Sequence, residues 1–229
     1  MTGCRPAPTV LPPSLRVGLG LIAALAALVV VVLGVLYAGH SQPGRVDRWI
    51  IQPTADSVRP PWRYVALATD FLGEPAGAAM LVVAAVTGCL LLRRPVAAAL
   101  VVLGVGMTVA TATLLKRLVG RTIHGDGNLS YPSGHTAFLT ALALIVALLA
   151  TGRLGLGRTA GALLVLAAAL VAGAAMGWAQ VALGAHYPTD ALGGWCTALA
   201  VVPATAWLVD WTADRRGDRM ADAGRREAR

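Results

Sequence analysis

The chain has 229 residues, 57% hydrophobic and 13% charged, with a mean hydropathy of +0.69. A soluble domain carries about 25% charged residues, so this composition excludes one and points to a polytopic membrane protein. The net charge of +8 comes from cations at the ends of apolar runs and in a terminal tail, which suits orientation in a membrane rather than nucleic-acid binding.

Stretches free of Asp, Glu, Lys, Arg and His cover 17–39, 76–92, 95–115, 136–152, 159–185 and 191–209. A helix crosses the hydrocarbon with about 20 apolar residues, so the expected fold is all-α, a six-transmembrane-helix bundle. Residues 1–14 read as a cytoplasmic stub, 15–211 as the membrane domain, and 212–229 as a charged cytoplasmic tail without fixed structure. The first run, of 23 residues, exceeds the roughly 7–15 of a signal peptide and is expected to stay as a helix. The second span is expected to begin near Arg63 and to carry Asp70 and Glu74 inside it. Acidic groups at that depth should face the bundle interior, either pairing with Lys116 or Arg121 or lining a substrate path.

Six spans put both termini on one side. That side collects twelve Lys and Arg residues against seven on the other, so the termini are expected in the cytoplasm and the 116–133 and 184–188 loops outside. The segment "RVDRWIIQPTADS" should lie along the outer interface. Cys4, Cys89 and Cys196 are too scattered for a metal site or a disulfide framework.

The polar residues gather in those outer loops. In "YPSGHTAF" Ser133 is a natural N-cap, with Gly134 and His135 in the first turn of an apolar helix. Unpaired amides and the positive end of the dipole make such a point an anion site. In "GAHYPTDALGG" Pro188 opens the sixth helix, and His186 stands four residues before Asp190. The carboxylate can reach back to one imidazole nitrogen and leave the other free as nucleophile or base. Lys116, at the outer end of the third span, is the sole lysine against eighteen arginines, a compact charge suited to phosphate.

These residues resemble the type 2 phosphatidic acid phosphatase (PAP2) superfamily, whose site is similar to that of vanadium haloperoxidases. The family pattern is Lys, six residues, Arg-Pro; then Pro-Ser-Gly-His; then Ser-Arg, five residues, His, three residues, Asp. The chain has Lys116, "PSGH" and His186 with Asp190, but Ile123 and His124 replace Arg-Pro, and Ala179 and Gln180 replace Ser-Arg. Both motif arginines are therefore missing. Arg121, two residues short of the first, and Gln180, an uncharged donor, are the expected substitutes, with "HGDGN" a possible nest of amides.

The resemblance implies a membrane lipid phosphate phosphatase. His186 would attack phosphorus to give a phosphohistidine, Asp190 would orient it, and His135 would protonate the leaving alkoxide. Lys116, Ser133, Gly134, Arg121 and Gln180 would hold the phosphoryl oxygens, with no metal or other cofactor. His186 must be neutral while His135 is protonated, which predicts a bell-shaped pH profile. A lipid phosphate or diphosphate of polyprenyl, phosphatidic acid or phosphatidylglycerol phosphate type is the expected substrate, and protein partners are undefined. The alternatives are a lipid or sugar phosphotransferase with the same site, and a non-catalytic headgroup-binding protein.

Overall fold

The computed structural model describes residues 10–227, with side chains described outside 55–57 and 216–227. Cys4 and Arg5 of the expected stub lie outside the described residues. A single 3-10 turn, Pro13–Leu15, leads into α1 (Arg16–Leu36), followed by α2 (Arg45–Ser57), α3 (Trp62–Phe71), α4 (Pro75–Leu91), α5 (Pro95–Val119), α6 (Gly134–Leu154), α7 (Arg158–Ala182) and α8 (Pro188–Glu227). Proline occupies the first turn of α4 and α5, where its missing N–H costs nothing. Glycines in the left-handed conformation, Gly120 at φ 63° and Gly155 at φ 61°, close α5 and α6.

Five helices are long and apolar enough to cross a membrane, and α3 with α4 forms a sixth, broken candidate bent by 62°. The all-helical, six-span expectation therefore holds, with a correction to the second span. Asp70 and Glu74 do not share a continuous helix: Asp70 lies in the last turn of α3, and Glu74 ends the break at 72–74 as the N-terminal boundary of α4. Proline at 75 disfavours helical geometry at Glu74, and glycine at 73 leaves room for the ring of His135, which a Cβ there would strike.

The charged tail differs from expectation too. Backbone helix continues through Thr212 as far as Glu227. The stub is tied down at 10 and 11: the Val10 and Leu11 amides donate to the two oxygens of Asp210, at 2.8 and 3.0 Å, midway along α8.

α6 and α8 form the centre of the bundle. Each has 56% of its apolar window buried, against 22% for α1 and 33% for α7. Leu100, Val101, Leu144, Ile145, Leu148, Val165 and Val202 fill the space between the helices. At one end of this pair α8 comes so near the start of α6 that a Cβ at Gly194 would run into the Ser133 carbonyl oxygen, and one at Gly193 into the Tyr131 ring. The two conspicuous sequence clusters are thereby forced together at one end of the two most buried helices.

Gly194→Ala is expected to lower stability by about 1–3 kcal/mol, because backbone rather than a flexible side chain must yield. Gly106→Ala, which meets nothing within 4 Å, should leave stability unchanged or higher. Thermal unfolding in detergent micelles compares the two.

Candidate active site

The site is built on two helix starts. The Ser133 amide donates to the Asp190 carbonyl oxygen at 2.9 Å, which fixes the first turn of α6 against the first turn of α8. The Ser133 hydroxyl oxygen accepts from the Thr136 amide at 3.4 Å and from the Thr136 hydroxyl at 3.1 Å, the expected cap. Two positive helix ends therefore point into one region, an arrangement that favours an anion.

His186 lies in the loop between α7 and α8 and is 8% exposed. Its Nδ1 faces Asp190 Oδ2 at 3.7 Å, and this nitrogen has no hydrogen-bond partner. Catalytic contacts of this kind are commonly loose before substrate binds. Burial pushes the His186 pKa below its ordinary 6.5, opposed by Asp190 and reinforced by the charges of Lys116 and His135. The Lys116 ammonium is half-buried and donates to the Leu129 carbonyl oxygen at 3.1 Å, which holds it at the C-terminal end of α5.

His135 meets two other carboxylates. Its Nε2 stands 3.8 Å from Asp70 Oδ1 and 3.6 Å from Glu74 Oε1, and accepts or donates no hydrogen bond. The partners of Asp70 and Glu74 are therefore His135 and, for Asp70, the Gln180 side-chain amide, not Lys116 or Arg121. One ligand atom from each of Asp70, Glu74 and His135 lies within 4.8 Å of the others, a spacing that would accommodate a cation. Gln180, expected at the phosphate, is 1% exposed and spends its Nε2 on Asp70.

Arg121 requires a larger correction. Its side chain has no exposed surface, and its Nη1 donates to Asp190 Oδ1 and Thr189 Oγ1, each at 2.6 Å, while Nη2 donates to Asp47 Oδ2 at 2.6 Å. The guanidinium lies between the Tyr37 and Tyr187 rings, 4.0 and 4.4 Å from their centroids. With its terminal nitrogens engaged by Asp190, Thr189 and Asp47, it is not free to meet a phosphate.

Asp47, on α2, went unnoticed in the sequence. It is completely buried, and its Oδ1 accepts from the Thr189 amide and hydroxyl, at 3.0 and 2.8 Å. Burial works to raise its pKa, but bonds from Thr189, Arg121 and Gly44 together hold it below the ordinary value. The interfacial reading of α2 fits Trp49, 84% exposed, yet one face of that helix reaches the site.

The positions of the missing Arg-Pro have other duties. Ile123 is buried, and the exposed His124 bonds through Nε2 to the Gly184 carbonyl oxygen at 2.8 Å. This joins the 120–130 loop to the loop carrying His186. The "HGDGN" turn is exposed and folds on itself, with Ile123 N–H donating to Asn128 O at 3.0 Å.

With this geometry in place, comparison with known proteins gives a family. A family model described as PAP2 superfamily matches residues 120–214. This part of the chain belongs to the PAP2 superfamily. The PAP2 match takes in Ser133, Gly134, His135, His186 and Asp190; Lys116 falls just before it, and Asp47, Asp70 and Glu74 lie well outside. The fold is similar to the crystal structure of a transmembrane PAP2-type phosphatidylglycerolphosphate phosphatase from Bacillus subtilis, at 20% identity and a TM-score of 0.66, covering 84% of this chain and 96% of that one. No curated relative matches it. The chain is thus a multi-pass membrane protein with a PAP2 fold.

His124→Ala should cost about 0.5–1.5 kcal/mol of local stability, the worth of one hydrogen bond. Hydrogen exchange should then quicken at the amides of Leu183 to Tyr187 while the amides of α6 stay protected.

Proposed function

We propose that this protein is a phosphatase of lipid phosphates, working through a phosphohistidine on His186. The supporting observation is the buried His186 facing Asp190 at 3.7 Å, at a start of α8 that the Ser133 amide ties to the start of α6, where His135 stands, with burial disfavouring the charged form of His186. Neutral imidazole is the nucleophilic form. Its Nε2 lone pair forms a bond to phosphorus as the phosphorus–oxygen bond to the lipid breaks, and protonated His135 gives its proton to the departing alkoxide. Water then attacks the phosphohistidine, His135 takes a proton from it, the P–N bond breaks, and inorganic phosphate leaves with His186 restored. Asp190 balances the charge that grows on His186 as its lone pair is used.

Lys116, the Ser133 hydroxyl and the Gly134 amide are the proposed phosphate ligands. Arg121 is left out because both its terminal nitrogens are engaged. A lipid substrate follows from the bundle itself: a tail among apolar helices presents its phosphate at the boundary where these loops lie. The similar Bacillus protein acts on phosphatidylglycerolphosphate, which favours the same class, a lipid phosphomonoester. The asymmetry of Lys and Arg supports placing the site on the outer face, with both termini in the cytoplasm.

Purified protein should release inorganic phosphate from members of a panel of lipid phosphates. His186→Ala should abolish release, and His135→Ala should reduce it by about 10²–10⁴-fold. Protonation of His186 removes the nucleophile, so turnover falls as pH drops; with its pKa held below 6.5, the acid limb must lie below 6.5. Absence of phosphate release across the panel, or release indifferent to His186→Ala, contradicts the proposal.

A further inference from the structure

We propose that Asp47 and Arg121 are positioning residues that set the Asp190 carboxylate for His186; this rests on the phosphohistidine reading above. The geometry at Asp190 divides its two oxygens. Oδ1 takes the Arg121 Nη1 proton at 2.6 Å, and Oδ2 takes the Tyr187 amide at 3.1 Å and faces His186 Nδ1. Rotation of the carboxylate would break the bond to Arg121, so Oδ2 is the oxygen held toward the imidazole. A histidine whose Nδ1–H donates to that oxygen keeps Nε2 deprotonated and free to attack.

Asp47 fixes this arrangement by two routes. Its Oδ2 accepts from Arg121 Nη2 at 2.6 Å, so the guanidinium cannot swing away from Asp190. Its Oδ1 accepts from the Thr189 amide and hydroxyl, so it also caps the start of α8, one residue before Asp190. The Thr189 hydroxyl receives Arg121 as well, and so all three side chains converge on the first turn of α8. Asp47, Arg121 and Asp190 each have no exposed surface. One cation between two anions lets both carboxylates remain charged in a place that water does not reach.

A staple that merely joined α2 to α8 would contribute stability alone. A positioning role must instead show at His186. Asp47→Asn removes the charge but keeps the shape, and Thr189→Val, close to isosteric, removes the shared hydroxyl and no charge. Monodisperse elution in detergent establishes that each variant is folded. Nitrogen-15 spectra of histidine-labelled protein, with His186 assigned by His186→Gln, should show the Nδ1–H tautomer in the wild type and a mixture in both variants. In phosphate release, Asp47→Asn should lower kcat by roughly ten- to hundredfold with KM little changed. Placed on an Asp190→Asn background, the same change should cost no more than about twofold, because residues acting through one group are not additive.

Folded variants with the wild-type tautomer and kcat overturn the proposal, as does a loss from Asp47→Asn that is as large with Asp190→Asn as without it. If the wild type releases no phosphate from any lipid, the phosphatase reading fails, while the tautomer spectra still decide the positioning role.

Discussion

The end of the bundle where α6 and α8 begin is organised around a buried guanidinium. Arg121 has no exposed surface, pairs with Asp47 from α2 and Asp190 from α8, and is enclosed by Tyr37 and Tyr187. Removing one member of such a group leaves an uncompensated buried charge, at a cost of about 3–5 kcal/mol. The strands of chain around it are cross-linked by backbone too: the Gly39 amide donates to Val119 O, and the Thr122 amide to His40 O. The loops after α1, α5 and α7 are thereby held as one body, and the two helix starts that carry Ser133 and Asp190 are aimed at a common point.

That arrangement divides the labour between the charges. On the proposed reading, a phosphate reaching His186 meets one ammonium, Lys116, and the positive ends of α6 and α8. On the far side of His135 it meets Asp70 and Glu74, without a lysine or arginine partner among the described residues. The guanidinium that the motif would lead one to seek at the phosphate bonds Asp190 instead, which on this reading makes it act on the partner of the nucleophile. On the same reading, helix ends and backbone amides carry more of the anion binding than they would in a site with two motif arginines.

Much of this was legible in the sequence because the signals are local. Ser133 before an apolar run, Pro188 at a helix start and His186 four residues before Asp190 are set by capping and helix geometry, and the structure keeps each one. The break of the second span was legible as well, in "GEP" at 73–75, but the apolar residues on either side drew α3 and α4 together into one expected helix. Arg121 and Asp47 were not legible. They lie 74 positions apart, and a chain with eighteen arginines gives no hint of which one is buried. Asp47 was further obscured by its neighbours, since Arg45, Arg48 and Trp49 make α2 read as an interfacial helix, and a single inward residue does not alter that pattern.

The central claim is that His135, His186 and Lys116 surround one phosphorus atom at the joined starts of α6 and α8. An experimental structure with orthovanadate, whose trigonal-bipyramidal form mimics phosphoryl transfer, tests it most directly. The account predicts vanadium bonded to His186 Nε2, with His135 at the apical oxygen opposite, Lys116 and the Gly134 amide on the equatorial oxygens, and Arg121 still held between Asp47 and Asp190. Vanadate seated away from His186, or Arg121 withdrawn from Asp190 to bind it, would contradict the account.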